Sequence, residues 1–405
     1  MQADPGNSDK ALAYAEAAIK VGNLEGAIGA LERLLIFNPD LPQIRVELGV
    51  LYYRLGSYDL SRSYLAQLAD REDVPDDVRA KVKEYLAQID QLSSPHRVTG
   101  GLVTGFRYQT DANYGPGGSS LRILGLDFPI ATNVAKKGDT NFFGLGTVNY
   151  VYDFQQADPL TIEANLTTYG QKQFRQTQLD LSLTQFDVGP RIGLPMLLEG
   201  SSVRPYIIGD YLSLGGSSFM SSYGGGINGV APMMDRLAIL ANFEIQNRQY
   251  DTDPARPRIE DLTGDYIAVR LEPRYAVADN QLIGFTNEFD RTLAVQGYQR
   301  STQVILGPNY QIRFASPLEQ TGLVRAWTGS VGFDHIWRYY GTPDVLIDPA
   351  NTRRDSQYDL GGTLEIPVVD GMSTLLQLQQ TWANSNIPNY KYTNLLGMVA
   401  VSLKF

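Results

Sequence analysis

The sequence predicts a two-part α plus β chain, with a helical-repeat domain over residues 1–94 and a 14-stranded antiparallel transmembrane β-barrel over residues 95–405. Three observations predict it. Small and apolar residues recur at a fixed interval near the front, about fourteen alternating segments fill the remainder, and the chain ends on the alternating run "NLLGMVAVSLKF". In that run Leu395, Val399, Val401, Leu403 and Phe405 fall on one side of an extended strand, and Ala400, Ser402 and Lys404 on the other.

The helical front comes first. Aligning "GNLEGAIGALERLL" with "GSYDLSRSYLAQLA" pairs Gly22 with Gly56, Ala27 with Ser61, Leu31 with Leu65 and Leu34 with Leu68, each pair 34 residues apart. This is the tetratricopeptide (TPR) period, with a small residue where two helices cross and apolar residues where they bury. Leu48, Gly49 and Tyr52 supply the first-helix signature of the second repeat, Tyr14 and Ala15 stand at the matching places in the first, and Pro39 closes the first repeat. Residues 76–94 read as a further helix over the exposed end, with Asp76 as its cap. In such repeats the first helices line a groove that holds a peptide. Here that face is Leu12, Glu16, Ile19 and Lys20 with Val46, Val50, Tyr53 and Arg54. A cargo-binding groove and a scaffold that only packs against the next domain are equal readings of these residues.

From Arg97 onward, segments such as "RVTGGLVTGFRY", "NFFGLGTVNYVYDF" and "RLAILANFEIQNR" alternate apolar with polar residues or glycine, and turn clusters separate them. An even number of strands is what a closed bacterial barrel requires. The alternation assigns faces. Leu237, Ile239, Phe243 and Ile245 oppose Asn242, Glu244, Gln246 and Arg248, while Ile267, Val269 and Leu271 oppose Arg270, Glu272 and Arg274. The polar faces, with Glu288, Asp290, Asp334 and Arg338 from later strands, suit a wet lumen, and the apolar faces suit lipid. In "LDLSLTQFDVG" the leucines hold odd positions but Phe186 and Val188 hold even ones, so a β-bulge near Thr184–Gln185 is expected. The long polar connections, 111–138, 250–263 and 341–353, fall at one end, and short turns such as "VADN" and "VVDG" at the other. That asymmetry makes the long loops extracellular and places the helical front in the periplasm. The last strand is expected to pair with the first, with Phe405 as the signal read by barrel-insertion machinery.

The stretch "PQIRVELGVLYYRLGSYDLSRSYLAQLADREDVPDDVRAKVKEYLAQID", followed by "GFRYQTDANYGPGG", resembles the surface lipoprotein assembly modulator (Slam) family of Gram-negative bacteria. The resemblance covers most of the chain in architecture, and its specific sequence is concentrated in residues 42–115. It implies periplasmic tetratricopeptide repeats, a fourteen-stranded outer-membrane barrel and a role in moving lipoproteins or secreted proteins to the cell surface. The partners it implies are outer-membrane lipid and a protein cargo. Family members generally carry longer helical domains, so the class of cargo stays open.

Composition excludes other classes. The 405 residues include no cysteine, so neither a disulfide framework nor a cysteine-ligated metal is expected. The net charge of −10 argues against nucleic acid, which needs a basic surface. No apolar run is long enough for a spanning helix. The opening "MQADPGNSDK" lacks the n- and h-regions of a secretory leader, which is expected of a chain whose leader has been removed. An enzyme is not expected. The barrel's histidine, His335, should share a face with Phe333 and Trp337 while Asp334 points the other way, "SSYGGGING" lacks the helix and lysine of a phosphate loop, and no spacing suggests zinc. No cofactor and no metal are expected. Two functions remain: export or display of a protein cargo, and a pore for polysaccharide or another solute. The mixed signs of the lumen charges favour a plugged or gated interior over a polymer pore.

Overall fold

The computed structural model describes residues 8–405 apart from 72, 133, 157–158, 255 and 319–324. Most of the stretch read as a trimmed start therefore lies outside the described residues. The chain divides into two compact units at Pro95/His96.

The first unit holds α1 (Ser8–Lys20), α2 (Leu24–Phe37), α3 (Pro42–Arg54), α4 (Tyr58–Leu65) and α5 (Asp76–Ser93). Helices α1, α3 and α5 begin 34 residues apart, as do α2 and α4, so the interval read from the sequence is also a geometric repeat. Gly22 (φ 78°) and Gly56 (φ 75°) each turn the chain between paired helices through the left-handed region that favours glycine. Ala27, Leu31 and Leu34 pack with Ala15, Leu48 and Leu51 in one buried cluster. Their partners one interval later, Leu65 and Leu68, pack with Val82 and Ile89 of α5 in a second. Ser61 is fully buried because its hydroxyl donates to the Gly49 carbonyl at 2.6 Å, where α3 and α4 cross. Asp76 does not cap α5. Pro75 holds the cap position without a side-chain acceptor, and Asp76 sits in the first turn paired with Arg79, where a carboxylate complements the helix dipole. A cap the sequence reading did not name is Asn23, whose Oδ1 accepts from Gly26 N at 2.9 Å.

In the second unit, β1 (His96–Gln109) is followed by the short hairpin β2 (Ser120–Ile123) and β3 (Leu126–Pro129), then β4 (Asp139–Asp153), β5 (Leu160–Gln173), β6 (Leu181–Gly193) and β7 (Ser202–Leu214). Next come β8 (Ser217–Met234), β9 (Leu237–Tyr250), β10 (Gly264–Ala278), β11 (Gln281–Ala294) and β12 (Ser301–Phe314). The last are β13 (Trp327–Tyr340), β14 (Arg354–Val369), β15 (Met372–Ser385) and β16 (Tyr392–Lys404). Among the described residues β1 and β4 through β16 close into one antiparallel barrel of fourteen strands, β16 pairing with β1. All fourteen segments read from the sequence lie in it. The β2–β3 hairpin inside the first long connection was not foreseen. It turns on Leu124 (φ 49°) and Gly125 (φ 81°), the two left-handed residues of a tight hairpin turn.

The expected bulge at Thr184–Gln185 is absent. Pairing of β6 with β5 runs unbroken from Leu160↔Ile192 to Gln171↔Leu181, and its register with β7 is also unshifted. The alternation changes sense because the surroundings do. Leu181 and Leu183 point inward with Leu212 and Leu214 of β7, while Ser182 and Ser213 face outward at the rim and share a 2.7 Å hydrogen bond. The longest connections, 110–138, 251–263 and 341–353, lie at one end of the barrel, and the two-residue turns 235–236, 279–280 and 370–371 at the other. The connections 154–159, 194–201 and 315–326 at the short-turn end are longer, and the long-loop end also holds one two-residue turn, 215–216.

Candidate functional site

The barrel wall has two chemistries. Outward positions carry apolar side chains such as Leu102, Ile207, Ile227, Phe243, Val269, Phe285, Leu378 and Val399, all exposed. Aromatic residues flank them at both ends: Tyr108, Phe142, Trp337, Tyr339 and Trp382 towards the long loops, and Tyr150, Tyr152, Tyr275, Phe314 and Phe405 towards the short turns. His335 is on this outer face, its ring stacked between Trp337 and Tyr358 and its Nε2 2.9 Å from Ser356 Oγ; Asp334 is on the inner face. Among the described residues no helix is long and apolar enough to cross a membrane, which says nothing of strands. A 14-residue strand is about 46 Å long, and at a tilt of about 40° it rises about 35 Å, more than the roughly 25 Å apolar band of a membrane barrel.

The inner face is polar and extensively paired. Register places Glu244, Arg248, Arg270, Glu272, Arg274, Glu288, Asp290, Asp334 and Arg338 there together. Arg274 donates to Glu272 at 2.7 Å, and Arg270 lies 3.2 Å from Glu272 and 3.7 Å from Glu288. Arg248 lies over the Tyr266 ring at 3.4 Å, Tyr266 donates to Asp290 at 2.9 Å, and Gln303 links Asp290 to Arg338.

The network continues into residues the sequence reading did not single out. Arg191 holds Glu163 with two bonds, at 2.6 and 3.0 Å. Arg204, 3% exposed, bridges Glu163 and Asp187. The Tyr206 hydroxyl lies 2.9 Å from Asn242 Oδ1 and 2.8 Å from Glu244 Oε2. Its ring occupies the space over Gly226, where an added Cβ would come within 2.5 Å of it. Gly226 of "SSYGGGING" therefore makes room for a neighbour's side chain, while Gly224 and Gly225 lie against the backbone of adjoining strands. These residues were legible in principle, since each alternates with an outward apolar residue on its own strand.

At the long-loop end the connections are tied to one another. Arg122 of β2 bonds Asp127 of β3 at 2.9 Å and Asp348 of the 341–353 connection at 2.9 Å, and the turn amides of Leu124 and Gly125 donate to Leu346 O and Ile347 O. Arg258 bonds Asp344 at 3.2 Å across to the same connection and lies over the Tyr298 ring at 4.2 Å. Arg256 donates to Gln178 O at 2.7 Å, and the amides of Arg175 and Gln176 donate to Asp139. Charges here are shifted for visible reasons. Hydrogen bonds from Arg122 hold Asp127 and Asp348 below the usual carboxylate range. Burial, with the Asp261 hydrogen bond, pushes Tyr298 up to about 12. Burial pushes the Asp111 carboxyl up.

The eight helical residues read as a groove do not form one continuous exposed face. Leu12 and Ile19 pack on the first buried cluster. Val46 and Tyr53 pack on the second, and Tyr53 touches the Tyr85 ring of α5 and donates to Gln88 at 2.9 Å. The physical reason is that α5 repeats the position of α1 and α3 and covers the face of α3 next to it. Glu16, Lys20 and Arg54 are exposed and Val50 is half-buried.

No protein-family model matches the chain, and no curated protein does. Among solved structures it is similar to a bacterial polysaccharide outer membrane secretin, at 8% identity over 76% of this chain and 98% of that one, with a TM-score of 0.37. It is similar to OccAB3 of Acinetobacter baumannii at 11% identity over 76% and 99%, also with a TM-score of 0.37. A third is the TodX monoaromatic hydrocarbon channel, at 10% identity over 78% and 94%, with a TM-score of 0.38. At that level of superposition none of the three assigns this chain a cargo, a solute or a direction of transport.

Proposed function

We propose that this chain is an outer-membrane β-barrel that exports or displays a protein cargo at the cell surface, with the helical unit recognising the cargo in the periplasm. The observation that carries the reading is the laced interior. Ion pairs run along the inner wall and the long loops are tied across one end, an arrangement suited to a gated passage. The apolar outer wall between aromatic girdles supports the membrane location. The resemblance in residues 42–115 supports the cargo class, a lipoprotein or secreted protein. The helical surface available to a cargo is the exposed set Glu16, Lys20 and Arg54, with Val50 between them.

The test is surface exposure, on intact cells, of a lipoprotein or secreted protein encoded beside this gene. Replacing Glu16, Lys20 and Arg54 by alanine should reduce its exposure several-fold at unchanged barrel abundance, and deleting residues 8–90 should reduce it further. Undiminished display by the barrel alone would end the cargo-recognition reading. The second reading, a pore for polysaccharide or another solute, is favoured by the hydrogen-bonding groups of the lumen. A stable open conductance of the full chain in planar bilayers would favour it over the gated export device.

A further inference from the structure

A cavity of about 230 Å³ lies inside the barrel at the long-loop end, against β14, β15, β16 and β1. Four amides, Gln109, Gln357, Gln379 and Asn394, face it together with Asp359 and Thr381. Its remaining wall is Leu396 and two aromatic rings: Tyr114 from the 110–138 connection meets Tyr392 edge to face, with ring centroids 5.3 Å apart.

Each feature narrows the ligand. No lysine, arginine or histidine lines the cavity itself, and the cations Arg338 and Arg353 line the adjoining pocket, where Arg338 is bonded to Gln303 and Arg353 to Asp355. Asp359 is the one carboxylate, and its two oxygens already accept from Thr381 at 2.5 Å and Gln357 at 2.7 Å, which commits its charge locally. Gln357 is committed in the same way, donating to Asp359 and accepting from the Tyr392 hydroxyl at 3.2 Å, whereas Asn394 and Gln379 keep free capacity. Asn394, 4% exposed, uses its oxygen for the Asp111 amide, leaving its nitrogen to donate, and the Gln379 side chain makes no hydrogen bond among the described residues. An amide offers a donor and an acceptor side by side, the match for a pair of adjacent hydroxyls. The tyrosine faces match the apolar C–H face of a sugar ring. The volume equals that of about eight liquid waters, room for one ring at a time.

Tyr114 is held for this position. Its φ of 48° is a conformation residues other than glycine rarely adopt. The surrounding loop is pinned by Asp111, fully buried, whose Oδ1 accepts from Gly115 N at 2.9 Å, and by Gly117 N donating to Lys391 O at 2.7 Å. Backbone strain of this kind collects where function requires a side chain to be in one place.

We propose that this cavity is a binding subsite for a single neutral sugar ring, gripped by the amides and stacked on Tyr114 and Tyr392. The site is independent of the protein-cargo reading and is testable with no cargo present. The experiment is saturation-transfer difference NMR on the full chain in detergent micelles, with glucose and N-acetylglucosamine as probes and tetramethylammonium as the cationic comparison. Transfer to the ring protons of at least one sugar is expected, weakened about tenfold or more in Tyr114→Ala/Gln379→Ala. Leu376→Ala, on the outward face of β15, should leave it unchanged. Retained heat-modifiable migration certifies that each variant folds, and Gln379→Met, which removes only the amide, replaces the double variant if that one does not. The proposal is overturned by no transfer to either sugar in the unsubstituted chain, by transfer to tetramethylammonium alone, or by undiminished sugar binding in the folded variants.

Discussion

Gly29 and Gly49 occupy helices of the same unit, yet a methyl group added at each meets opposite surroundings. At Gly29 there is nothing within 4 Å; at Gly49 the new Cβ would lie 2.4 Å from Leu65 Cγ, and Leu65 is fully buried. Helix propensity favours alanine over glycine by about 1 kcal/mol in both places. Overpacking costs about 1–3 kcal/mol at the second. Gly29→Ala should therefore raise the melting temperature of the helical signal at 222 nm, and Gly49→Ala should lower it, with a net loss of about 1 kcal/mol. Upward shifts in both would mean that α3 and α4 are not in close contact. In the barrel, Arg204 separates two carboxylates in a buried setting, and removing one partner of such a pair costs about 3–5 kcal/mol. Arg204→Met should lower the temperature of the heat-modifiable transition, and adding Asp187→Asn should recover part of the loss. Sequence revealed the inward face wherever charges alternated cleanly with aliphatics, as along Glu244 to Arg248. It misjudged Tyr53, because periodicity places a residue on a helix face but does not say that a third helix covers that face.

At the scale of the element, the β2–β3 hairpin explains what a sequence pattern leaves out. Its strands are four residues each, too short for alternation to register, and its position depends on partners far along the chain: Arg122 reaches Asp348, and the Leu124–Gly125 turn bonds the carbonyls of Leu346 and Ile347. The bulge expected in β6 failed for a related reason. A break in alternation also arises where a strand passes from an apolar to a polar surrounding. The hairpin's anchorage has a pH dependence of definite sign. Asp127 and Asp348 have folded-state affinities for protons below those of free carboxylates, so their contribution is present above the unfolded value and is lost as pH falls through the folded one. The window lies below the ordinary aspartate value of about 3.9. Pepsin, active in that range, should cut at the exposed Leu124, Leu126 and Phe128 increasingly as pH falls from 4 to 2. In Asp348→Asn the same cleavage should already occur at pH 4. Cleavage that is identical at every pH in the two proteins would disprove the anchor.

For the whole molecule, closure was legible from the alternation of "NLLGMVAVSLKF", because a strand of this length without edge prolines or bulges leaves a row of free backbone groups that pairing with β1 removes. The structure adds how the seam is finished. Phe405 N donates to Gly100 O at 3.1 Å and Gly100 N donates to Phe405 O at 2.9 Å, so the final residue completes the ladder between β16 and β1. The Phe405 ring lies over Gly100, where an added Cβ would come within 2.5 Å of its Cζ. Two roles for the terminal residue can thus be separated: a signal read during insertion, and the closing rung of the barrel. Deleting Phe405 removes both, and the fraction of the protein recovered in the outer membrane should fall while synthesis is unaffected. Gly100→Ala leaves the terminal aromatic in place but displaces its ring from the seam, and its Cβ also presses on the Thr147 carbonyl of β4 at 2.6 Å. If the terminal residue acts as a signal, Gly100→Ala inserts normally and only loses thermal resistance of the folded band on gels. If closure is what insertion depends on, both variants accumulate outside the membrane. Normal insertion of the deletion variant would rule out both roles.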